Sequence, residues 1–141
     1  MQCGISWNQK GIENLPDTPF VIVANHQSPW ESFFLQTLFI PTSSIMKKEI
    51  LMIPFFGWAM QAAGHVFVDR RDHDRAMLSI EKINKSLLKT PRSILIFPEG
   101  SRTNDGGVKR FKSGGLSLGI STQMPIVPIA IDGTFESLNK N

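Results

Sequence analysis

The sequence predicts an α/β fold: a single layer domain with a mostly parallel mixed sheet flanked by helices. Three observations predict it. Two short, continuous and almost wholly apolar runs, FVIVA at 20–24 and SILIF at 93–97, have the composition of strands buried on both faces. These runs alternate with segments of helical periodicity, as layered α/β chains do. The chain has 141 residues, 41% hydrophobic and 19% charged, which suits one globular domain with a sizeable core.

The elements follow in order. Residues 20–24 form the first strand. Residues 29–40 read as a helix with Trp30, Phe33, Phe34 and Leu38 on one stripe. Residues 43–46 make a short strand. The segment 50–68 contains nineteen residues without Asp, Glu, Lys or Arg, long enough to raise the question of a membrane span. Pro54, Gly57, Gln61, Gly64 and His65 interrupt it. The expectation is therefore one helix or two short ones over 49–62, then a strand at 64–68, with a surface that lies on lipid. An amphipathic helix follows over 74–89, with Ala76, Met77, Ile80, Ile83 and Leu87 along one side, and Pro91 stops it. After the strand at 93–97, the loop NDGGVKRFKSGG leads into a short helix over 113–121. The run MPIVPIAI at 124–131 is the last strand, and its prolines belong at strand ends or on a sheet edge.

Composition narrows the function. The net charge is +3 and the pI about 9.2, without a run of like charges, so no nucleic-acid partner is expected. An anionic small substrate or an anionic membrane surface suits this mild excess. Cys3 is the single cysteine, which excludes an intrachain disulfide and favours a reducing compartment. The first ten residues carry no signal-peptide pattern.

The stretch FVIVANHQSPWES brings an ionisable pair to the tip of a buried strand. Ser28-Pro29-Trp30-Glu31 has the form of a capping box, with Ser28 at N-cap, Pro29 at N1 and Glu31 at N3. His26 then lies in the strand-to-helix turn, where a side chain at N3 can reach back to it. Two readings of these residues stand side by side. In one, Glu31 only bonds the Ser28 amide and His26 is an ordinary turn residue. In the other, Glu31 orients the imidazole and leaves its second nitrogen free to take a proton. Glu31 has two oxygens and can do both.

Two further strands end on charge: 64–68 on Asp69-Arg70-Arg71, and 93–97 on Pro98-Glu99-Gly100-Ser101-Arg102. Strand C-terminal ends are where α/β sheets place ligands. Segment 101–112 sets Arg102, Lys109, Arg110 and Lys112 against Asp105 alone. Arginine suits phosphate because its planar fork donates paired, charge-assisted hydrogen bonds. Segment 69–75 is balanced, with Arg70, Arg71 and Arg75 against Asp69, Asp72 and Asp74, and reads equally as a solvated turn. Gly115-Leu116-Ser117-Leu118-Gly119 matches G-x-S-x-G, but no strand precedes it and all three histidines come earlier, against the usual order. No metal-ligand spacing, dinucleotide fingerprint or Walker loop is present, so no metal or cofactor is expected.

These blocks together resemble the glycerolipid acyltransferases typified by bacterial 1-acyl-glycerol-3-phosphate acyltransferase (PlsC-like). NHQSPWE is similar to that family's H-x4-D block, GHVFVDR to its second, FPEGSR to its third and VPIAI to its fourth. KKEILMIPFFGW and FKSGG resemble the intervening segments, so the likeness covers nearly the whole chain. The resemblance implies a glycerol-3-phosphate acyltransferase-like fold. It also implies transfer of a fatty acyl group from acyl-CoA or acyl carrier protein to the hydroxyl of a lysophosphatidate. His26 would be the base with Glu31 beside it, Arg70, Glu99, Gly100 and Arg102 would contact the phosphorylated acceptor, and Lys47 would assist with phosphate. The family usually has aspartate where this chain has Glu31.

Further expectations follow from the same likeness. The acyl donor is a co-substrate and no cofactor is needed; the partners are the donor, a lysophospholipid acceptor and a membrane surface. The place of work is the cytoplasmic face of the inner (plasma) membrane, held peripherally. Residues 1–141 read as a catalytic core truncated at the C-terminus and without an N-terminal membrane-associating segment. Oxyanion donors are sought among the backbone amides at 28–30. Trp30, Phe33, Phe55, Phe56 and Trp58 either border an acyl groove or, as is usual for aromatics, belong to the core. Two other functions compete: the same chemistry on glycerol-3-phosphate or a lyso-aminolipid, and a non-catalytic lipid-binding fragment.

Overall fold

The computed structural model describes residues 6–69, 81, 83–85, 87 and 89–138. Five strands form one sheet: β1 (Val21–Ala24), β2 (Thr42–Lys47), β3 (Val66–Val68), β4 (Ser93–Ile96) and β5 (Ile126–Ile129), in the order β3-β2-β4-β1-β5. Every pairing is parallel, so the strand C-termini share one edge. No antiparallel pair occurs among the described residues. β1 and β4, the two predominantly apolar runs, sit beside each other at the centre and are buried along their length. β5 is an edge strand, which is where a strand containing Pro128 belongs, because proline has no amide to donate to a second neighbour.

The two faces of the sheet carry separate cores. Val21, Val23, Ile94 and Ile96 pack against Ile83 on one face. Phe20, Ile22, Ala24 and Leu95 pack against Leu35 on the other. Alternation along β1 and β4 thus feeds both layers, and each fully buried large side chain contributes about 1.5–3 kcal/mol. Leu35 belongs to α1 (Trp30–Gln36). Ile83 belongs to the expected helix over 74–89, which is helical at Glu81, Ile83, Asn84, Lys85, Leu87 and Lys89; the rest of it lies outside the described residues.

Residues 50–68 do not form a continuous helix. They divide into the end of a 3-10 turn at Lys48–Met52, α2 (Phe56–Ala62) and β3, the two short helices and strand that the interruptions predict. No helix among the described residues is long and apolar enough to cross a membrane. Gly57 explains how closely the two short helices approach: a Cβ there would come within 2.5 Å of the Ile50 carbonyl oxygen. The chain between them is strained. Phe55 has φ 62 and ψ −50, and the Phe56 amide donates to the Pro54 carbonyl at 2.6 Å, the form of a γ-turn.

The expected stripe on the first helix is rotated. Glu31 and Leu35 are its buried residues, whereas Trp30 and Phe33 are 37% and 61% exposed. Phe55, Phe56 and Trp58 are exposed as well, so none of these aromatics is core. Glu31 takes a place on the buried side because its hydrogen-bond partners replace water there. After β4, the chain returns through α3 (Ser113–Thr122), packed close enough that a Cβ on Gly119 would meet Ile126 at 2.6 Å.

Candidate active site

The site begins at the end of β1. Asn25 clamps the strand tip to the chain leaving β5, its side-chain amide donating to the Ile131 carbonyl at 2.7 Å and its oxygen accepting the Ile131 amide at 2.8 Å. The next residue, His26, therefore leaves a fixed point. Its ring lies against Phe97, centroids 4.0 Å apart and planes 18° from parallel. Its Nδ1 is 2.7 Å from Glu31 Oε2.

Glu31 is completely buried, and four donors make that possible. Oε2 takes the His26 Nδ1–H. Oε1 accepts the Gln27 amide at 2.7 Å, the Ser28 amide at 2.8 Å and the Thr134 hydroxyl at 2.6 Å. The bond from Ser28 is the reciprocal half of the expected capping box; Ser28 Oγ itself accepts from the Trp30 amide at 3.3 Å. Burial alone would raise the Glu31 pKa, but the bonds from His26, Thr134, Gln27 and Ser28 outweigh it and hold it below its ordinary value. An ionised Glu31 accepts only, so the proton between it and the imidazole sits on Nδ1, and in the neutral ring Nε2 is then the nitrogen with the lone pair. His26 retains 20% side-chain exposure, enough for a reacting group to approach.

The loop after β4 meets the loop after β1. Glu99, 2% exposed, accepts the His26 amide on Oε1 at 2.7 Å and the Lys109 amide on Oε2 at 2.7 Å. Gln27 adds a bond from its side-chain amide to the Gly106 carbonyl. The sheet order makes this meeting possible, because β1 and β4 are neighbours and their following helices lead to opposite faces. Arg102, Lys109, Arg110 and Lys112 are exposed on the same loop. Lys109 Nζ donates to the Arg102 carbonyl at 2.6 Å. Lys112 lies over Gly100 (φ 76), where an added Cβ would stand 3.2 Å from its ammonium. Asp105, the segment's single acid, is held by the Thr103 hydroxyl and the Gly107 amide. Those bonds hold its pKa below the usual range.

A model of the acyltransferase family matches residues 6–132. The chain belongs to the acyltransferase family. It is 40% identical over 127 residues to a 1-acyl-sn-glycerol-3-phosphate acyltransferase of Pseudomonas aeruginosa, covering 90% of this chain and 49% of that relative. It is 33% identical over 137 residues to the Saccharomyces cerevisiae protein of the same name, covering 95% of this chain and 45% of that one. The crystal structure of the 1-acyl-sn-glycerophosphate acyltransferase PlsC from Thermotoga maritima superimposes with a TM-score of 0.72 at 32% identity, over 89% of this chain and 50% of that one. The chain thus spans about half the length of the curated relatives it matches.

In this member of the acyltransferase family the structure brings His26, Glu31, Glu99, Gly100 and Arg102 to one edge, with Lys47 exposed at the C-terminal end of β2 on that edge. Arg70 lies outside the described residues. Glu99, expected to contact the phosphorylated acceptor, turns one oxygen to the His26 amide and the other to the Lys109 amide, and so links the two loops. In the backbone at 28–30, where oxyanion donors were sought, Ser28 donates to Glu31, Trp30 donates to Ser28 and Pro29 has no N–H. The sequence reading missed Thr134 and Phe97. Phe97 was at least visible as the end of an apolar strand; nothing local distinguishes Thr134, 103 positions from Glu31.

A cleft of about 1020 Å³ opens beside α1 and β5, lined among others by Trp7, Phe34, Leu38, Val127, Ile129 and Thr134. Through Thr134 its rim is one hydrogen bond from Glu31.

Proposed function

We propose that this chain is the catalytic part of an enzyme that acylates 1-acyl-glycerol-3-phosphate to phosphatidic acid, taking the acyl group from acyl-CoA or acyl carrier protein. The observation that carries this is the 2.7 Å contact between His26 Nδ1 and the buried Glu31 carboxylate, at a sheet edge shared with a basic loop. His26 Nε2 takes the proton of the acceptor hydroxyl as its oxygen attacks the thioester carbonyl. Glu31 steadies the imidazolium. Collapse of the tetrahedral intermediate breaks the carbon–sulfur bond, and the leaving thiolate takes the proton back from His26. The acyl group passes directly to the acceptor, since the thioester is already activated.

Arg102 and Lys112 hold the acceptor phosphate above the Gly100 turn, with Lys47 assisting, so that the hydroxyl meets the base. Positioning of this kind removes several kcal/mol from the barrier. The apolar cleft beside α1 offers an acyl chain a place to lie. The acceptor is an amphiphile, so the enzyme works peripherally on a lipid surface, at the cytoplasmic face of the inner membrane. Exposed Met52, Ile53, Phe55, Phe56 and Trp58 support that reading.

Thiol release from one acyl-CoA, measured in detergent against a panel of acceptors, tests the proposal. Lysophosphatidate should support the fastest release, and His26→Ala should slow it by about 10²–10⁴. Near-normal turnover in that variant removes the mechanism. Preference for glycerol-3-phosphate or a lyso-aminolipid keeps the chemistry and changes the acceptor. Lipid binding without any release identifies a non-catalytic module. Arg102→Ala should raise the KM for the phosphorylated acceptor more than that for the donor; an equal rise in both removes Arg102 from the phosphate.

A further inference from the structure

The turn after β5 has no part in the chemistry above, yet it reaches the centre of the site. Asn25 pins Ile131 to the strand tip, and Gly133, at φ 79, turns the chain inward. Thr134 follows, 4% exposed, and its hydroxyl donates to Glu31 Oε1 at 2.6 Å. Its carbonyl is in turn held by the Ser137 hydroxyl at 2.7 Å. The other two donors to Oε1 are the amides of Gln27 and Ser28, only four and three residues from Glu31. Among the described residues, Thr134 is the one donor to Glu31 that comes from a separate part of the fold.

We propose that Thr134 is a positioning residue for the His26–Glu31 pair: its hydroxyl fixes the carboxylate plane so that Oε2 is presented to His26 Nδ1. The geometry supports this on two counts. A glutamate has three rotatable side-chain bonds, and the two neighbouring amides alone leave the carboxylate free to pivot about Oε1. A third donor from across the fold stops that rotation. The extra donor also favours the ionised carboxylate, which keeps the Nδ1 proton on the ring. Ile131, which Asn25 clamps, and the donor Thr134 belong to one continuous stretch, so histidine and glutamate are registered against the same support.

The inference rests on the proposed role of the pair, so the experiment separates the two. Wild type, Thr134→Val, Thr134→Ser, Glu31→Gln and His26→Ala are compared for kcat, both KM values and the pH profile of kcat. Thr134→Val is expected to lower kcat roughly tenfold or more, the scale of one hydrogen bond to a charged group. The fall in kcat should exceed any change in either KM, Thr134 being also on the rim of the cleft proposed for the acyl chain. The acid limb of its profile should move to higher pH, because a carboxylate with fewer donors lets the pair take up a proton more easily. Thr134→Ser keeps the hydroxyl and should restore both. A purely structural role would reduce the yield of folded protein without moving the limb.

Wild-type kcat and limb in Thr134→Val, with Glu31→Gln impaired, overturns the role of Thr134 alone. Full activity in Glu31→Gln and His26→Ala overturns the underlying reading. Thr134→Ala repeats the comparison should valine not fold. The unsubstituted protein provides a second readout: the Thr134 hydroxyl proton should exchange slowly enough to be observed by NMR, and rapid exchange overturns the proposal.

Discussion

Glu31 is fully buried and nonetheless ionised, because four donors replace the water it gives up. Its folded pKa lies below the unfolded value, so it adds stability above about pH 4.3 that is lost as the pH falls through the folded value. Glu31→Gln should therefore be destabilised at neutral pH, and the gap from wild type in urea midpoint should narrow below about pH 4.3. A gap that does not change with pH would contradict this account. Glu99 makes a comparable prediction. Its two oxygens each accept one backbone amide, and Gln offers only one oxygen. Glu99→Gln should cost roughly 1–3 kcal/mol of stability. It should lower kcat more than it raises the acceptor KM, because it displaces the His26 backbone without removing a phosphate contact. A selective rise in acceptor KM would return Glu99 to the substrate.

At the scale of elements, the compact turn between Lys48 and Ala62 shows how backbone geometry decides what is displayed. Gly57 lets the 3-10 turn and α2 touch. Gly57→Ala should destabilise by roughly 1–3 kcal/mol, because the obstructing atom is a backbone carbonyl that cannot turn aside. Phe55 is the opposite case. It holds φ 62 while the residue is 80% exposed and its ring touches Trp58 edge-on, centroids 5.6 Å apart, so strain is spent on an aromatic with little to pack against. Phe55→Gly should raise the Tm, as measured by thermal unfolding. A fall would mean that the Trp58 contact outweighs the strain.

For the whole molecule, the sheet order β3-β2-β4-β1-β5 brings residues 26, 99 and 134 together from three distant parts of the chain. The parallel arrangement collects the strand ends on one edge, and the buried centre of the sheet fixes their spacing. Leu95→Ala removes a wholly buried side chain at that centre and should cost about 2–5 kcal/mol in chemical denaturation. A loss well below this range would mean the sheet can collapse around the gap.

The fold class and the order of the strands and helices were determined by the sequence alone, which also offered the pairing of His26 with Glu31 as one of two readings that the structure then decided. Each is a local matter: apolar runs bounded by turn residues, and a capping box whose acid lies one helical turn from the histidine. Three features required tertiary structure. The exposure of Trp30 and Phe33 depends on which side of α1 meets the sheet. Hydrophobic periodicity misjudges that side when a charged residue is buried with a full set of donors. The inward role of Glu99 depends on two amides, one of them 73 positions away. Thr134 depends on a strand pairing that brings the end of β5 beside the end of β1, and a hydrogen bond over 103 residues leaves no local signature in a single sequence.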